Sequence, residues 1–277
     1  MTARPPAAYP AQEPFSEVAR AYHDRVMELG REVHEGEVLP YGPDPYQQVL
    51  LYPAALSPGA VLAFMHGGGW TNGYKEWMSF MAPAVTRAGI SFASIGYRLA
   101  PAHVFPTGLQ DCADALRVIK DRTPSSALFV GGHSAGGHYA AWLAVRNTWW
   151  KERSFAANPI RGCLPVSGTY FFGEGSGLSM RPRFLGPGPT ERAASPIHEI
   201  SDRTPFLLAY GQRDFPHLIA QASAMVAALR QAGSPVQSLE LPNCNHFEAS
   251  YHTGDPEGVW CRTAAEFILH HRTRVAS

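Results

Sequence analysis

The chain has 277 residues, with 23 Lys and Arg against 23 Asp and Glu, so its formal net charge is zero. That balance argues against nucleic acid or an anionic membrane surface as a partner, and 45% hydrophobic residues can fill one α/β core. Residues 1–14 lack the apolar run of a signal peptide, no later run is long enough to span a bilayer, and Cys112, Cys163, Cys244 and Cys261 show no C-x-x-C spacing, which reads as free thiols in a reducing cytoplasm.

Residues 1–13 read as a loose, flexible arm. Over residues 14–33, Phe15, Val18, Ala19, Tyr22, Val26 and Met27 recur at helical spacing. Residues 48–52 and 60–65 read as strands, separated by the turn Ser57-Pro58-Gly59. A helix near 75–88 and a strand over 91–97 follow. A helix near 108–120 then carries Leu109, Cys112, Leu116 and Ile119 on one stripe. The strand 127–131 runs through a tight turn into a helix that ends near Val145. The second half keeps the rhythm, with strands at 161–166, 205–210 and 236–241. Ile219, Ala222, Val226 and Leu229 mark a helix between the last two strands, and a closing helix covers about 257–271. Such alternation predicts an α/β domain over 14–277, with a mostly parallel central sheet and helices on both faces. The interval 170–195 breaks the pattern. It is crowded with Gly and Pro and dotted with Phe171, Phe172, Leu178, Met180 and Phe184, which predicts a lid or pocket loop.

Four stretches carry chemistry. Gly132-His133-Ser134-Ala135-Gly136 lies between a strand and a helix, where a serine at the apex has strained backbone angles and a hydroxyl clear of the sheet. Serine needs a base to take its proton, and the base needs an acid to hold its tautomer. On such a scaffold the acid follows a late strand, and the histidine follows the last one. Asp214, after Phe206–Gly211, and His246, after residues 236–241, fit those places. Asp202 precedes its strand, Asp255 follows the histidine, and His252 lies further from the strand end. The fourth stretch, His66-Gly67-Gly68-Gly69-Trp70, follows an early strand and offers bare backbone amides to a developing oxyanion. The expected donors are the N–H groups of Gly68, Gly69 and Ala135. His66 is expected to brace the loop, and Trp70 to form a wall of the acyl pocket. His133 and Phe247 complete the expected substrate contacts.

These motifs together resemble the α/β-hydrolases whose oxyanion loop reads H-G-G-G or H-G-G-x-W. His66–Gly69 and Tyr97-Arg98-Leu99-Ala100-Pro101 are similar to the microbial hormone-sensitive-lipase-like esterases. His66-Gly67-Gly68-Gly69-Trp70, Gly132 to His138, Gly211-Gln212-Arg213-Asp214 and Asn245-His246-Phe247 are similar to the kynurenine formamidases (arylformamidases). The likeness covers about 60–270. The esterases more often carry Asp before the nucleophile, so His133 favours the formamidase side, whereas Gly69 is esterase-like. The resemblance implies an α/β-hydrolase fold and hydrolysis of a small neutral ester or aryl formamide.

No H-E-x-x-H, paired Cys/His spacing, G-K-[ST] or dinucleotide fingerprint occurs, so neither a metal nor any other cofactor is expected. The expected partner is a small-molecule substrate, not nucleic acid or membrane, with a homo-oligomer left open. A non-catalytic binding protein and a lyase on the same fold are the readings from other classes.

Overall fold

The computed structural model describes residues 9–55, 59–146, 148–176, 181–187 and 191–273. Helix α1 (Glu17–Leu29) begins on a Ser16 cap whose hydroxyl accepts the Ala19 amide. Three strands follow: β1 (Glu37–Pro40), β2 (Gln48–Tyr52) and β3 (Ala60–Met65). Next come a 3-10 turn at Lys75–Met81, α2 (Ala82–Arg87), β4 (Ser91–Ile95) and α3 (Thr107–Arg122). The middle of the chain supplies β5 (Ala127–His133), α4 (Ala135–Val145), the short α5 (Trp149–Glu152) and β6 (Ile160–Val166). Then come a π-helical turn at Arg181–Leu185, α6 (Glu191–Ala194) and a 3-10 turn at Pro196–His198. The chain continues through β7 (Phe206–Gly211), α7 (Pro216–Gln231), β8 (Val236–Leu241), α8 (His246–Tyr251) and α9 (Val259–His271).

The strands form one sheet in the order β1-β2-β4-β3-β5-β6-β7-β8. β1, β2 and β4 pair antiparallel, and every pair from β4 through β8 is parallel. A parallel strand covered on both faces has no polar side to show, which is why β3 reads Ala-Val-Leu-Ala-Phe-Met and is buried throughout. Its side chains alternate between two cores. Val61, Ala63 and Met65 pack with Leu109, Leu116, Leu143 and Met225 from α3, α4 and α7. Leu62 and Phe64 pack with Val26, Val85, Trp260 and Phe267 from α1, α2 and α9. The predicted helices on both faces are therefore present. No helix among the described residues is long and apolar enough to cross a membrane.

Three features differ from the expectations. The edge strand β1 has no counterpart in the sequence reading, because Glu-Val-Leu-Pro is short and mostly solvent-facing. The helix expected near 75–88 divides in two, with Pro83 in the first turn of the second piece, where a missing amide hydrogen is tolerated. Residues 9–13, expected in a loose arm, are tied to the body by side-chain hydrogen bonds from Tyr9 and Gln12 and by the Glu13 carbonyl. Residues 1–8 of that arm, Ser57 and Pro58 of the expected turn, and residues 177–180 and 188–190 of the expected lid lie outside the described residues.

The glycines at the end of β5 answer a packing demand. A Cβ on Gly131 would sit 2.7 Å from the Phe64 ring and 2.8 Å from the Leu164 carbonyl oxygen. Gly131→Ala is therefore expected to destabilise the fold by about 1–3 kcal/mol through overpacking. Scanning calorimetry checks it; an unchanged thermal midpoint would mean that the ring and strand accommodate the methyl group freely.

Candidate active site

β5 stops because the chain must turn sharply to start α4. Ser134 makes that turn with φ 54° and ψ −115°, a region that L-residues seldom occupy. The turn is held by the Ser134 amide on the Val166 carbonyl (2.9 Å) and the His138 amide on the Ser134 carbonyl (3.1 Å). It also needs bare backbone. A Cβ on Gly132 would lie 2.3 Å from the Gly136 carbonyl group, and one on Gly136 only 2.1 Å from the Met65 oxygen. Ser134 occupies the capping position of α4, yet its hydroxyl caps nothing. It donates instead to His246 Nε2, at 3.0 Å.

His246 opens α8, directly after Asn245, whose side chain forms a reciprocal capping box with Glu248 and so fixes where the helix begins. Its Nδ1–H donates to Asp214 Oδ1 at 2.9 Å, and the same oxygen accepts the Phe215 amide at 2.8 Å. Burial alone would raise the Asp214 carboxyl. The hydrogen bond and charge of His246 outweigh it, helped by Ser167 and the Phe215 amide, and hold the group below the usual carboxylate value. Ser134, His246 and Asp214 thus lie in one continuous chain of hydrogen bonds, although they are 112 and 32 residues apart. The rival acid Asp202 is engaged elsewhere, accepting from Asn158 and Thr204.

The glycine loop runs alongside. A Cβ on Gly67 would lie 3.4 Å from the Ser134 Cβ, whereas one on Gly69 would meet nothing within 4 Å. The loop's open side is therefore at Gly69. Gly68 and Gly69 both have positive φ, and the Gly68 carbonyl accepts the Thr71 and Asn72 amides at 3.2 and 3.0 Å. His66 is fully buried. Its Nδ1–H donates to the Gly67 carbonyl at 2.7 Å, and its ring stacks on Tyr97 at 4.2 Å. Ala135 is buried at the head of α4.

Trp70 is buried in a group of aromatic rings. Its ring stacks on Phe184 at 4.3 Å and approaches Phe172 at 5.5 Å. Its indole N–H donates to His138 Nδ1 (3.1 Å), and His138 Nε2–H donates to the Ala194 carbonyl (2.6 Å). Phe172, Phe184 and Ala194 all come from the interval expected to be a lid. His133, expected among the substrate contacts, is 2% exposed and sits beneath the relay. Its Nε2–H donates to the His246 carbonyl at 2.9 Å and its ring packs on Tyr22, so it braces the histidine's backbone rather than facing a ligand. Phe247 is half-buried beside His246. Sequence reasoning passed over Phe215, which is 45% exposed with its ring 4.9 Å from that of His246. The available signal was its place directly after Asp214. Among the described residues no cluster of His, Cys, Asp and Glu could hold a metal ion.

A family model described as alpha/beta hydrolase fold matches residues 62–249. The esterase LipQ of Mycobacterium tuberculosis is 29% identical over 238 residues, covering 75% of this chain and 56% of that protein. A kynurenine formamidase of Danio rerio is 27% identical over 218 residues, covering 76% of this chain and 73% of that one. The chain thus spans little more than half the length of LipQ, and only 13% of another, longer curated relative. In three dimensions it is similar to the propionate-bound esterase Est2 of Thermogutta terrifontis, with a TM-score of 0.70, 18% identity, and coverage of 88% of this chain and 98% of that one.

Burial pushes three histidines around this site down from 6.5, His66 and His138 to about 4 and His133 to about 3, the last also by the nearby His246. An unfolded chain takes up these protons below about pH 6.5, and the folded protein only near pH 4 or lower. The unfolded state therefore binds more protons in between, and stability falls as the pH drops from about 6.5 to about 4. Urea midpoints measured across that window should fall less steeply for His138→Gln than for the wild type. Identical slopes would show that His138 does not contribute.

Proposed function

Because this chain belongs to the α/β-hydrolase family, we propose that it is a serine hydrolase that cleaves a small neutral ester or an aryl formamide, most like an arylformamidase. The observation that carries the proposal is the relay from Ser134 Oγ through His246 to Asp214, with links of 3.0 and 2.9 Å. In the first stage Ser134 attacks the substrate carbonyl while His246 Nε2 takes its proton. Asp214 fixes the ring's tautomer through Nδ1–H and stabilises the imidazolium. The oxyanion rests on the N–H groups of Gly68, Gly69 and Ala135, at the positive end of α4. His246 then protonates the departing alcohol or amine. Water, deprotonated by the same histidine, releases the acyl group from Ser134.

Partly exposed apolar rings support a neutral substrate: Phe215 and Phe247 lie beside His246, whereas Trp70, expected as a wall of the acyl pocket, is buried among Phe172 and Phe184. The formamidase reading rests on the H-G-G-G-W and G-H-S-A-G-G-H stretches and on the 73% of the Danio rerio kynurenine formamidase that the chain covers. A general carboxylesterase is the second reading, favoured by Gly69 and by the likeness to LipQ. The four cysteines are free, which suits a reducing cytoplasm.

A fluorophosphonate should label the wild-type protein and leave Ser134→Ala unlabelled, with turnover lowered by about 10⁴-fold or more. Labelling of that variant at the wild-type rate would refute the nucleophile, and failure to label the wild type would favour a non-catalytic binding protein. Asp214→Asn should lower kcat by about 10⁴-fold, whereas Asp202→Asn should leave it within about threefold; the reverse order would mean the wrong acid. Product analysis on phenyl acetate and N-formyl aniline separates the esterase and formamidase readings.

A further inference from the structure

The N-terminal segment at residues 9–13 lies against residues 72–76, just past the glycine loop. The Gln12 amide grips Gly73 at both ends of its backbone: Nε2–H donates to the Gly73 carbonyl at 2.8 Å, and Oε1 accepts the Gly73 amide at 3.0 Å. Next to it, Asn72 Nδ2–H donates to the Glu13 carbonyl at 2.7 Å. The segment is itself anchored. Gln12 Nε2 also donates to the Tyr46 hydroxyl, which donates to the Pro10 carbonyl. Tyr9 bonds to Glu76 and Lys75, a salt-bridged pair buried just past Gly73.

What Gln12 holds is connected to the proposed oxyanion donors. The Thr71 and Asn72 amides both donate to the Gly68 carbonyl. A peptide unit is planar and trans, so its C=O and N–H point in opposite directions. Fixing the Gly68 carbonyl toward residues 71 and 72 therefore aims the Gly69 N–H the other way. Gly68 tolerates this with φ +106°, and no side chain could replace its hydrogen, since a Cβ there would lie 2.0 Å from the Asn72 carbonyl oxygen. Among the described residues, these two amides are the hydrogen bonds that hold the Gly68 carbonyl, so the peptide loses its anchor if Thr71 and Asn72 drift.

We infer that Gln12 is a positioning residue for the oxyanion hole: by clamping Gly73, and with Glu13 holding Asn72, it fixes the Gly68–Gly69 peptide so that the Gly69 N–H is ready for the oxyanion. This rests on the serine-hydrolase reading above. Gln12 bonds to Tyr46, Asn72 and Gly73 and not to Ser134, His246 or Asp214, so its loss should act through the Gly69 N–H on the transition state.

The test compares Gln12→Ala, Asn72→Ala and the double variant with the wild-type protein. The readouts are steady-state kinetics on phenyl acetate, the rate of inactivation by a fluorophosphonate, and the thermal midpoint. Loss of one oxyanion donor costs about 10²–10³ in kcat, so a loosened donor should cost about tenfold. Gln12→Ala is expected to lower kcat by about that factor, with KM within twofold and phosphonylation slowed in parallel. Asn72→Ala should behave alike, and the double variant should be little worse than the poorer single, because both break one tether. Unchanged kcat, with or without a lower thermal midpoint, would overturn the inference and leave the segment a purely stabilising contact. A raised KM at unchanged kcat would overturn it too, making the segment a substrate contact. Additive losses in the double variant would refute the shared tether. A wild-type protein that resists the fluorophosphonate would instead bring down the hydrolase reading, and the clamp with it.

Discussion

Where α4 leaves β5 it passes so close to the end of β3 that a methyl group on residue 136 would overlap the Met65 carbonyl oxygen. That contact between two bare backbones is the constraint on which the site depends. It brings the tight turn at Ser134 within van der Waals reach of the glycine loop, since both hang from the same edge of neighbouring parallel strands. It also explains the glycines on either side of the serine as steric necessities. β3 and β5 are adjacent in the sheet, so their carboxyl ends are held in register by the ladder that fixes the core.

Electrostatics then operates within that frame. The acid, the imidazole and the hydroxyl come from three segments that share nothing except their positions past β7, past β8 and past β5. Around them the histidines at 66, 133 and 138 are buried and remain neutral over the ordinary pH range. They act as directional donors and acceptors: His66 on the glycine loop, His133 on the backbone of His246, and His138 between Trp70 and Ala194. A neutral ring at 133 also adds no positive charge next to His246, where the proposed mechanism requires an imidazolium to form.

Much of the frame was legible in the sequence because it rests on local signals. Short, mainly apolar runs gave β2 through β7, the more polar Val236–Leu241 gave β8, and strand-end placement singled out Asp214 and His246 without any knowledge of their separation in space. The misses have separate causes. His133 is the last residue of β5, on the same face as Phe129 and against Tyr22; ending the strand at 131 left it in the turn and hid that alternation. The attachment of residues 9–13 depends on polar contacts reaching some 60 residues along the chain, from a stretch with no apolar pattern. β1 is an exposed edge whose pairing is decided by its partner strand rather than by its own composition.

The uncapped start of α4 has a consequence of its own. A helix whose first turn lacks a side-chain acceptor carries amide hydrogens that stay unsatisfied within the protein. Ser134 stands where such an acceptor belongs, but its hydroxyl is turned toward His246. On the proposed mechanism, the negatively charged oxygen of the tetrahedral intermediate supplies that acceptor to Ala135 for as long as it exists. The first amide of the helix would then gain its protein-side partner only during turnover, so the free end holds a place that the reacting molecule fills and vacates in each cycle.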